Sequence, residues 1–227
     1  MKISFKLTAI MVALGLFAIA SVSINLIIRS QDSIIDLSEK YAESMANHSA
    51  ANIDTFLELY LAKVETTANV MEQYRDIALA NRRNIFNIII EGMVEENPKI
   101  IGAWCVWEPD VLEGNDQQYI GTKGTGSSGR FSPYYYWDGG IIKLNVREDY
   151  NSSNYYLLAR NSGNPTILDP FENNVGGKKI FMTSISVPIR ADGKTVGVVG
   201  FDIPLTEIQE ISQNRPDTCP SCPLRFP

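Results

Sequence analysis

The stretch MTSISVPIRADGKTVGVVGFDIPLTEI, residues 182–208, decides the fold. Two apolar runs lie on either side of Asp192-Gly193, and a polar residue followed by a glycine that can adopt positive φ is typical of a β-hairpin turn. In the second run Gly197 and Gly200 lie among bulky valines. A glycine inside a strand lets a neighbouring backbone or a ligand approach closely. The stretch therefore predicts a long hairpin, followed by a helix that begins near Leu205.

Further strands precede this hairpin. Residues 100–107 form an apolar run of strand length, and a second hairpin signal, Asp138-Gly139-Gly140, joins residues 131–137 to residues 141–146. Residues 151–160 predict a short helix between the two hairpins. Two leading helices, an antiparallel sheet and a closing helix together predict an α+β fold with a PAS-like architecture.

The first part of the chain predicts a membrane anchor. Residues 7–28 carry no charge, and at ~1.5 Å per residue they reach about 33 Å, enough to cross a hydrocarbon core of about 30 Å. Two lysines precede this segment, so residues 1–6 are expected in the cytoplasm and the chain after Arg29 outside it. The alternative is a secretory signal peptide cleaved after Ala20. The apolar run continues beyond that position, which favours an uncleaved, single-pass anchor.

The next segment, residues 29–95, predicts long stalk and packing helices. It contains no proline and a single glycine, Gly92, and its apolar residues recur mainly at three- and four-residue steps, as on one side of a helix. A second helix is expected from Arg75 to Glu95, because the residue before Pro98 is disfavoured in a helix. The apolar stripe suits packing on the chain's own domain or on a partner helix, and we expect a homodimer through this stalk.

Composition argues against several classes of protein. A net charge of −6 opposes binding to a phosphate backbone, so no nucleic-acid partner is expected. The single histidine, His48, and the lack of a catalytic or phosphate-binding motif predict no enzyme, no cofactor and no metal site. Cys105 lies in an apolar run and is expected in the core. Cys219-Pro-Ser-Cys222 supplies only two metal ligands, which is too few for a zinc site. Residues 213–227 are expected to form an irregular tail, in which a local disulfide between these cysteines is one alternative.

The hairpin at residues 182–208 resembles the closing hairpin of a Cache domain. The preceding run, FSPYYYWDGGIIKLNVREDYNSSNYYLLARNSGNPTILDPFENNVGGKK at residues 131–179, is similar to the same domain in the same order of elements. Together with the anchor and the stalk, residues 1–212 resemble the front of a bacterial double-Cache (dCache) receptor. Methyl-accepting chemotaxis proteins, sensor kinases and diguanylate cyclases carry such an N-terminal region.

This resemblance implies extracytoplasmic sensing of a small molecule by residues 96–212, which correspond to the membrane-distal Cache module. In such receptors a second module, a second membrane helix and a cytoplasmic output domain follow, and the sequence ends before them. The expectation is therefore a truncated, chemoreceptor-like chain anchored in the bacterial inner membrane. The alternative is a membrane-tethered structural or interaction protein with a degenerate pocket and no signalling role.

Aromatic and acidic residues mark the candidate ligand-binding region. Tyrosine rings around a carboxylate suit a cation, since the rings attract it and the carboxylate binds it through charge-assisted hydrogen bonds. Residue types alone do not decide between ligand binding and a structural role for two of the acidic residues. Asp202 is a candidate cap of the following helix, and Asp149 is a candidate turn residue. The candidate ligand-binding residues are Trp107, Tyr136, Asp149, Tyr155, Tyr156, Asp169 and Asp202.

Amino-acid-sensing Cache domains carry the motif Arg-x-Trp-Tyr-x-x-Ala, followed by an acidic residue before a proline and by an aspartate in the last strand. The sequence has SNYYLLA at residues 153–159, then Asp169 before a proline, then Asp202. The resemblance implies that Asp169 and Asp202 hold an amino group of the ligand. It also implies that Tyr155 and Tyr156 form a wall of the pocket.

The sequence departs from this motif at Ser153, which stands where the motif has arginine. A serine cannot hold a carboxylate through two parallel hydrogen bonds, as a guanidinium does. An α-amino acid thereby loses one of its two anchors, unless Arg130 or Arg147 replaces it. An amine or another small solute is expected as much as an amino acid.

Overall fold

The computed structural model describes residues 2–213. The expected tail at residues 213–227 lies outside the described residues apart from Gln213, and so do Cys219 and Cys222. The chain divides into two compact units, residues 1–51 and residues 52–227.

From Lys2 onward the first unit is helical. Helix α1, Lys2–Glu72, begins in it, and no proline occurs before Pro98 to interrupt the helical hydrogen bonds. From Ile10 onward α1 is long and apolar enough to cross a membrane, as far as length and composition decide, and none of its most apolar window is buried. Apolar surface of this extent is stable in lipid rather than in water.

The last part of α1 belongs to the second unit and carries the expected apolar stripe. Tyr60, Val64, Ala68 and Met71 are buried and follow each other at steps of three or four residues. They lie in one hydrophobic core together with residues of the sheet. The stripe therefore packs on the chain's own domain over these residues, whereas the homodimer through the stalk stays a prediction.

Helix α2, Arg82–Glu95, begins later than the expected Arg75. The Arg82 guanidinium donates a hydrogen bond from Nε to the carbonyl oxygen of Ile77 at 3.0 Å. Ile77 and Ala78 have extended backbone, with ψ of 131° and 132°, so regular helix starts only at Arg82. Two short 3-10 turns separate α1 from α2, namely Tyr74–Asp76 and Leu79–Asn81.

Seven strands form one antiparallel sheet in the order β3-β2-β1-β7-β6-β4, and β5 also pairs with β6. The strands are β1 Gly102–Trp107, β2 Pro133–Asp138, β3 Ile141–Val146, β4 Thr166–Ile167, β5 Phe171–Val175, β6 Lys178–Ala191 and β7 Lys194–Pro204. The two expected hairpins are confirmed as β2–β3 and β6–β7. The sequence does not predict β4 and β5, because β4 has only two residues and β5 is largely polar, and both are held by pairing with β6.

The two faces of the sheet carry different layers, because alternate residues of a strand point to opposite sides. Cys105 and Trp107 of β1 join the core that contains α1 and α2, whereas Trp104 and Val106 point the other way. Helix α3, Asn154–Ser162, packs on this second side, which we call the α3 face. Helix α4, Leu205–Gln213, follows β7 directly. The expected α+β fold is confirmed.

Candidate functional site

Asp202 lies on β7, between Gly102 of β1 and Ser184 of β6, and is fully buried. Its carboxylate accepts hydrogen bonds from Trp104 Nε1 at 3.0 Å, from Ser184 Oγ at 2.6 Å and from Arg147 Nη2 at 2.5 Å. These partners come from β1, β6 and the residue after β3. The carboxylate is thus held by groups on the α3 face, and the alternative in which it caps the following helix is not seen.

Arg147 brings a positive charge to this carboxylate. Its guanidinium carbon lies 4.0 Å from the centre of the Tyr134 ring and 4.7 Å from the centre of the Tyr155 ring, and such rings attract a cation. Burial on its own lowers the pKa of Arg147, but Asp202, Tyr134, Tyr155 and Asp149 together outweigh it, and the pKa lies above its ordinary value. The charged guanidinium therefore sits among rings above a carboxylate. We call Trp104, Tyr134, Tyr155 and Asp202 the Asp202 cage.

A cleft of about 440 Å³ opens beside the cage, between α3 and β5. Three of its lining residues are carboxylates, namely Asp149, Asp169 and Glu172, and no lysine or arginine occurs among the residues that line it. Tyr155 lines the cleft and also belongs to the cage, so the two are neighbours through one ring. Glu172 is paired with Lys179 at 2.7 Å, so Asp149 and Asp169 carry the negative charge of the cleft, which attracts cations. The other lining residues are Ser153, Asn154, Leu158, Leu168, Pro170, Phe171 and Asn173.

Tyr155 joins the cage to Asp149. The Tyr155 hydroxyl donates to Asp149 Oδ1 at 2.6 Å, and Ser153 Oγ donates to Asp149 Oδ2 at 3.0 Å. Burial raises the pKa of Tyr155 far above its ordinary value, so the phenol keeps its proton and remains a donor. The ring stands edge-on to Trp104, with centres 4.8 Å apart. Asp149 therefore lines the cleft and at the same time fixes the first turn of α3.

Tyr156, the next residue of α3, faces a different cluster. Its hydroxyl donates to Glu108, the residue after β1, and accepts from Arg130. Arg160 donates to both carboxylate oxygens of Glu108, at 2.9 Å and 3.1 Å. These bonds attach α3 to the end of β1. Tyr156 is absent from the cleft lining, so its expected place in a wall of the pocket stays a prediction.

We expect the Glu108 cluster to make stability depend on pH in the acid range. Burial on its own raises the pKa of Glu108, but hydrogen bonds from Arg160 and Tyr156 hold it below its ordinary value of 4.5. A carboxyl group with a depressed pKa stabilises the folded chain above pH 4.5, and this contribution is lost as the pH falls through the depressed pKa.

The Glu108→Gln variant tests this contribution. We expect it to be less stable than the wild type at pH 7 by about 1 kcal/mol, as for a partly exposed ion pair. The difference in melting temperature should narrow below pH 4.5, which thermal unfolding at several pH values measures. A constant difference down to pH 3 contradicts the assignment.

Trp107 and Tyr136 lie on opposite faces of the sheet. The Trp107 ring stacks on Phe86 of α2, with centres 5.2 Å apart. The alternation that puts Trp104 into the cage sends Trp107 to the other side, so Trp107 lies apart from the other candidate ligand-binding residues. Tyr136 does lie on the α3 face, where it stacks on Tyr134 at 5.4 Å and borders the cage.

Asp169 is exposed at the rim of the cleft, as a ligand-binding residue at an entrance would be. Trp104 and Tyr134 are cage residues that the sequence does not single out, and the sequence offers Arg147 only as a replacement for the motif's arginine. One signal for Trp104 is available, because it pairs in register with Gly200 of β7. A large ring opposite a bare glycine indicates that the ring lies across the neighbouring strand.

Comparisons with known proteins agree with this fold. Residues 86–210 match the family described as methyl-accepting chemotaxis protein-like, first PDC sensor domain. The methyl-accepting chemotaxis protein TlpQ of Pseudomonas aeruginosa is 33% identical over 134 residues, which are 52% of this chain and 18% of TlpQ. The chain therefore spans only a small part of the length of this relative.

Solved structures are similar as well. The extracellular domain of mmHK1S-Z2, described as a histidine kinase, is 31% identical at a TM-score of 0.67, and the match covers 78% of this chain and 64% of that chain. Methyl-accepting chemotaxis protein X shares the fold at 24% identity and a TM-score of 0.60, over 76% of this chain and 65% of the other. The resemblance to Cache receptors is thereby confirmed. The chain belongs to the methyl-accepting chemotaxis protein-like family, and its residues 86–210 form a first PDC (Cache) sensor domain.

Proposed function

We propose that the chain is the extracytoplasmic sensor part of a chemoreceptor-like protein and binds a small solute that carries a cationic amino group. The observation that carries this proposal is the α3 face, where an acidic cleft adjoins a cage of rings over Asp202. The family supports it, since the relative TlpQ is a methyl-accepting chemotaxis protein and mmHK1S-Z2 matches through an extracellular domain. The proposal includes no catalytic step.

The proposal has residues 7–28 crossing a bacterial inner membrane once and residues 96–212 outside it. Helix α1 supplies the candidate span near the N-terminus, and the two lysines before it favour a cytoplasmic N-terminus. We also propose a homodimer through the stalk. Ile34, Ile35 and Leu37 follow the candidate span and are exposed, and such apolar side chains suit a partner helix.

The charge of the cleft favours an amine over an α-amino acid. The carboxylate of an amino acid needs a cationic partner, and the cleft lining contains no lysine or arginine. Ser153, at the position of the motif's arginine, contributes only a hydroxyl, and Arg147 is already paired with Asp202. Asp149 and Asp169 offer charge-assisted hydrogen bonds to an ammonium group. The ligand class that fits is therefore an amine.

A second candidate function is a membrane-tethered structural protein that binds no ligand. One observation favours it: the Asp202 cage is filled by Arg147, and Asp202 is fully buried. A degenerate pocket that no longer binds a ligand is expected to be filled by such an internal ion pair. Binding experiments separate the two candidates.

In a panel of aliphatic amines, aromatic amines and amino acids, we expect at least one amine to raise the melting temperature of the full chain in detergent. A hundredfold excess over the dissociation constant stabilises the native state by about 2.7 kcal/mol. Tryptophan fluorescence is a suitable probe, because all three tryptophans lie in the sheet. Asp169→Asn is expected to weaken binding about tenfold, since it removes a charge-assisted hydrogen bond.

Asp138→Asn is the matched control for binding. Asp138 pairs with Lys143 and Lys178 and lies outside the cleft lining, so its loss should leave the affinity for the amine unchanged. A panel in which no amine shifts the melting temperature contradicts the proposal and supports the structural protein. A response to amino acids alone contradicts the choice of ligand class.

A further inference from the structure

The Asp202 cage already holds a cation, the guanidinium of Arg147. We propose that Arg147 occupies the position of the ligand's cationic group and that a ligand binds by displacing it. This inference rests on the proposed function and deepens it, because it assigns a specificity-determining residue. The ligand then competes with a group of the chain itself, and binding becomes an exchange of one cation for another.

The contacts of Arg147 are those that a free organic cation makes in an aromatic cage. The guanidinium has the Tyr134 ring at 4.0 Å and the Tyr155 ring at 4.7 Å, and it donates to Asp202 at 2.5 Å. Rings and a carboxylate in this arrangement recognise charge and shape, with no requirement that the cation belong to the chain.

The Asp202 carboxylate is prepared to receive a cation. Trp104 Nε1 and Ser184 Oγ both donate to its Oδ1 atom. Arg147 takes the other oxygen, Oδ2. The carboxylate is thus held in place by neutral donors of the sheet and presents one oxygen to the cage. Any cation of suitable size can use that oxygen once Arg147 leaves.

Arg147 is held less firmly than Arg130, a second buried arginine near tyrosine rings. Arg130 donates from Nε to the carbonyl oxygen of Trp107 and from Nη2 to Tyr156, so both ends of its guanidinium are fixed. Within residues 2–213 the side chain of Arg147 makes one hydrogen bond, to Asp202, and its buried Nε has no partner. A buried donor without a partner is unfavourable, which makes exchange of this side chain easier.

The cleft offers the displaced guanidinium another carboxylate. Asp149 is two residues away in the sequence, and its negative charge acts on Arg147 in the structure. When a ligand takes Asp202, a pair between Arg147 and Asp149 keeps the charges balanced. Asp149 also accepts the Tyr155 hydroxyl, so the exchange changes a contact of α3. Ligand binding is thereby coupled to the position of this helix.

Chemical rescue of Arg147→Ala tests the inference on the full chain in detergent. Ethylguanidinium is the part of the side chain that this substitution removes. We expect it to bind Arg147→Ala about tenfold or more tightly than the wild type, because the internal competitor is gone. The readout is the rise of the tryptophan-detected melting temperature over a millimolar titration. N-ethylurea has the same shape without the charge and is expected to have no effect.

The double variant Arg147→Ala/Asp202→Asn keeps the space but loses the carboxylate, so ethylguanidinium should no longer raise its melting temperature. Equal binding to wild type and Arg147→Ala, or an equal effect of N-ethylurea, overturns the inference. If Arg147→Ala does not fold, Arg147→Lys replaces it. Lysine keeps the buried charge but cannot form the same planar contacts, so ethylguanidinium should again bind more tightly than to wild type; no gain overturns the inference.

This experiment also separates the inference from the proposed function. If the sensing proposal alone fails, the wild type responds to no amine, whereas Arg147→Ala still binds ethylguanidinium. If the inference alone fails, the wild type responds to an amine, whereas removal of Arg147 brings no gain for ethylguanidinium.

Discussion

Asp202→Asn is expected to destabilise the sheet domain by roughly 3–5 kcal/mol, because the Arg147 guanidinium loses the buried counter-charge to which it is bonded and can pair with Asp149 only by leaving the cage empty. Asp202 is fully buried and the Arg147 side chain is only 9% exposed, so water cannot replace the lost partner. For a domain of this size each kcal/mol lowers the melting temperature by about 2–4 °C, so a fall of about 10 °C is expected. Thermal unfolding of the full chain in detergent, followed by tryptophan fluorescence, measures it.

The double variant Asp202→Leu/Arg147→Met tests the cause of this loss. Apolar side chains in place of a buried ion pair are often neutral or stabilising, so the double variant should unfold closer to the wild type than Asp202→Asn does. Asp138→Asn removes a carboxylate whose partners Lys143 and Lys178 are exposed, and it should melt near the wild type. An Asp202→Asn protein that melts with the wild type contradicts the buried pair.

Gly200→Ala is expected to have the second-largest effect, a loss of about 1–3 kcal/mol from overpacking. A Cβ atom at Gly200 would lie 2.5 Å from Trp104 Cζ2 and 2.6 Å from the carbonyl oxygen of Ile185. The carbonyl belongs to the paired strand β6 and cannot move away alone, so the Trp104 ring has to shift. The shift also weakens the hydrogen bond from Trp104 Nε1 to Asp202.

Two measurements check the Gly200→Ala variant. Its melting temperature should fall, and the tryptophan emission of the folded state should change, because the environment of Trp104 changes. Gly92→Ala is the matched control: Gly92 lies in α2, and an added Cβ there meets no atom within 4 Å. Alanine is the better helix former, so this variant should be as stable as the wild type or more stable by about 0.5–1 kcal/mol. A Gly200→Ala protein as stable as Gly92→Ala contradicts the packing.

The helices and hairpins of the fold follow from local patterns. The hairpin around Asp192-Gly193 and the one around Gly139-Gly140 are present where the sequence predicts them. The start of α2 could not be predicted, because no glycine or proline marks the extended backbone at Ile77 and Ala78 that precedes it. Strand β5 could not be predicted either. Its sequence, FENNV, has little strand character of its own and is ordered by β6.

The candidate site was predicted in part. Aromatic and acidic residues of the expected kind do gather on the α3 face, where Asp149, Tyr155 and Asp169 line one cleft. Tyr156 is a neighbour of Tyr155 in the sequence but bonds to Glu108 at the end of β1. Trp107 belongs to the opposite face. The sequence shows which aromatic residues are present, but it does not show on which face of the sheet each ring lies.

The sequence by itself determined the kind of molecule: an apolar N-terminal helix, an α+β sensor fold, and a region rich in rings and carboxylates. These features depend on residue type and on spacing over a few positions, which the sequence displays directly. Only the tertiary structure decided that Asp202 is paired with Arg147, a residue 55 positions away. The strand register brings β7 beside β1, and the end of β3 turns Arg147 over the same face. A buried charge needs an opposite charge close to it in space. The local sequence pattern does not show which distant residue supplies that charge.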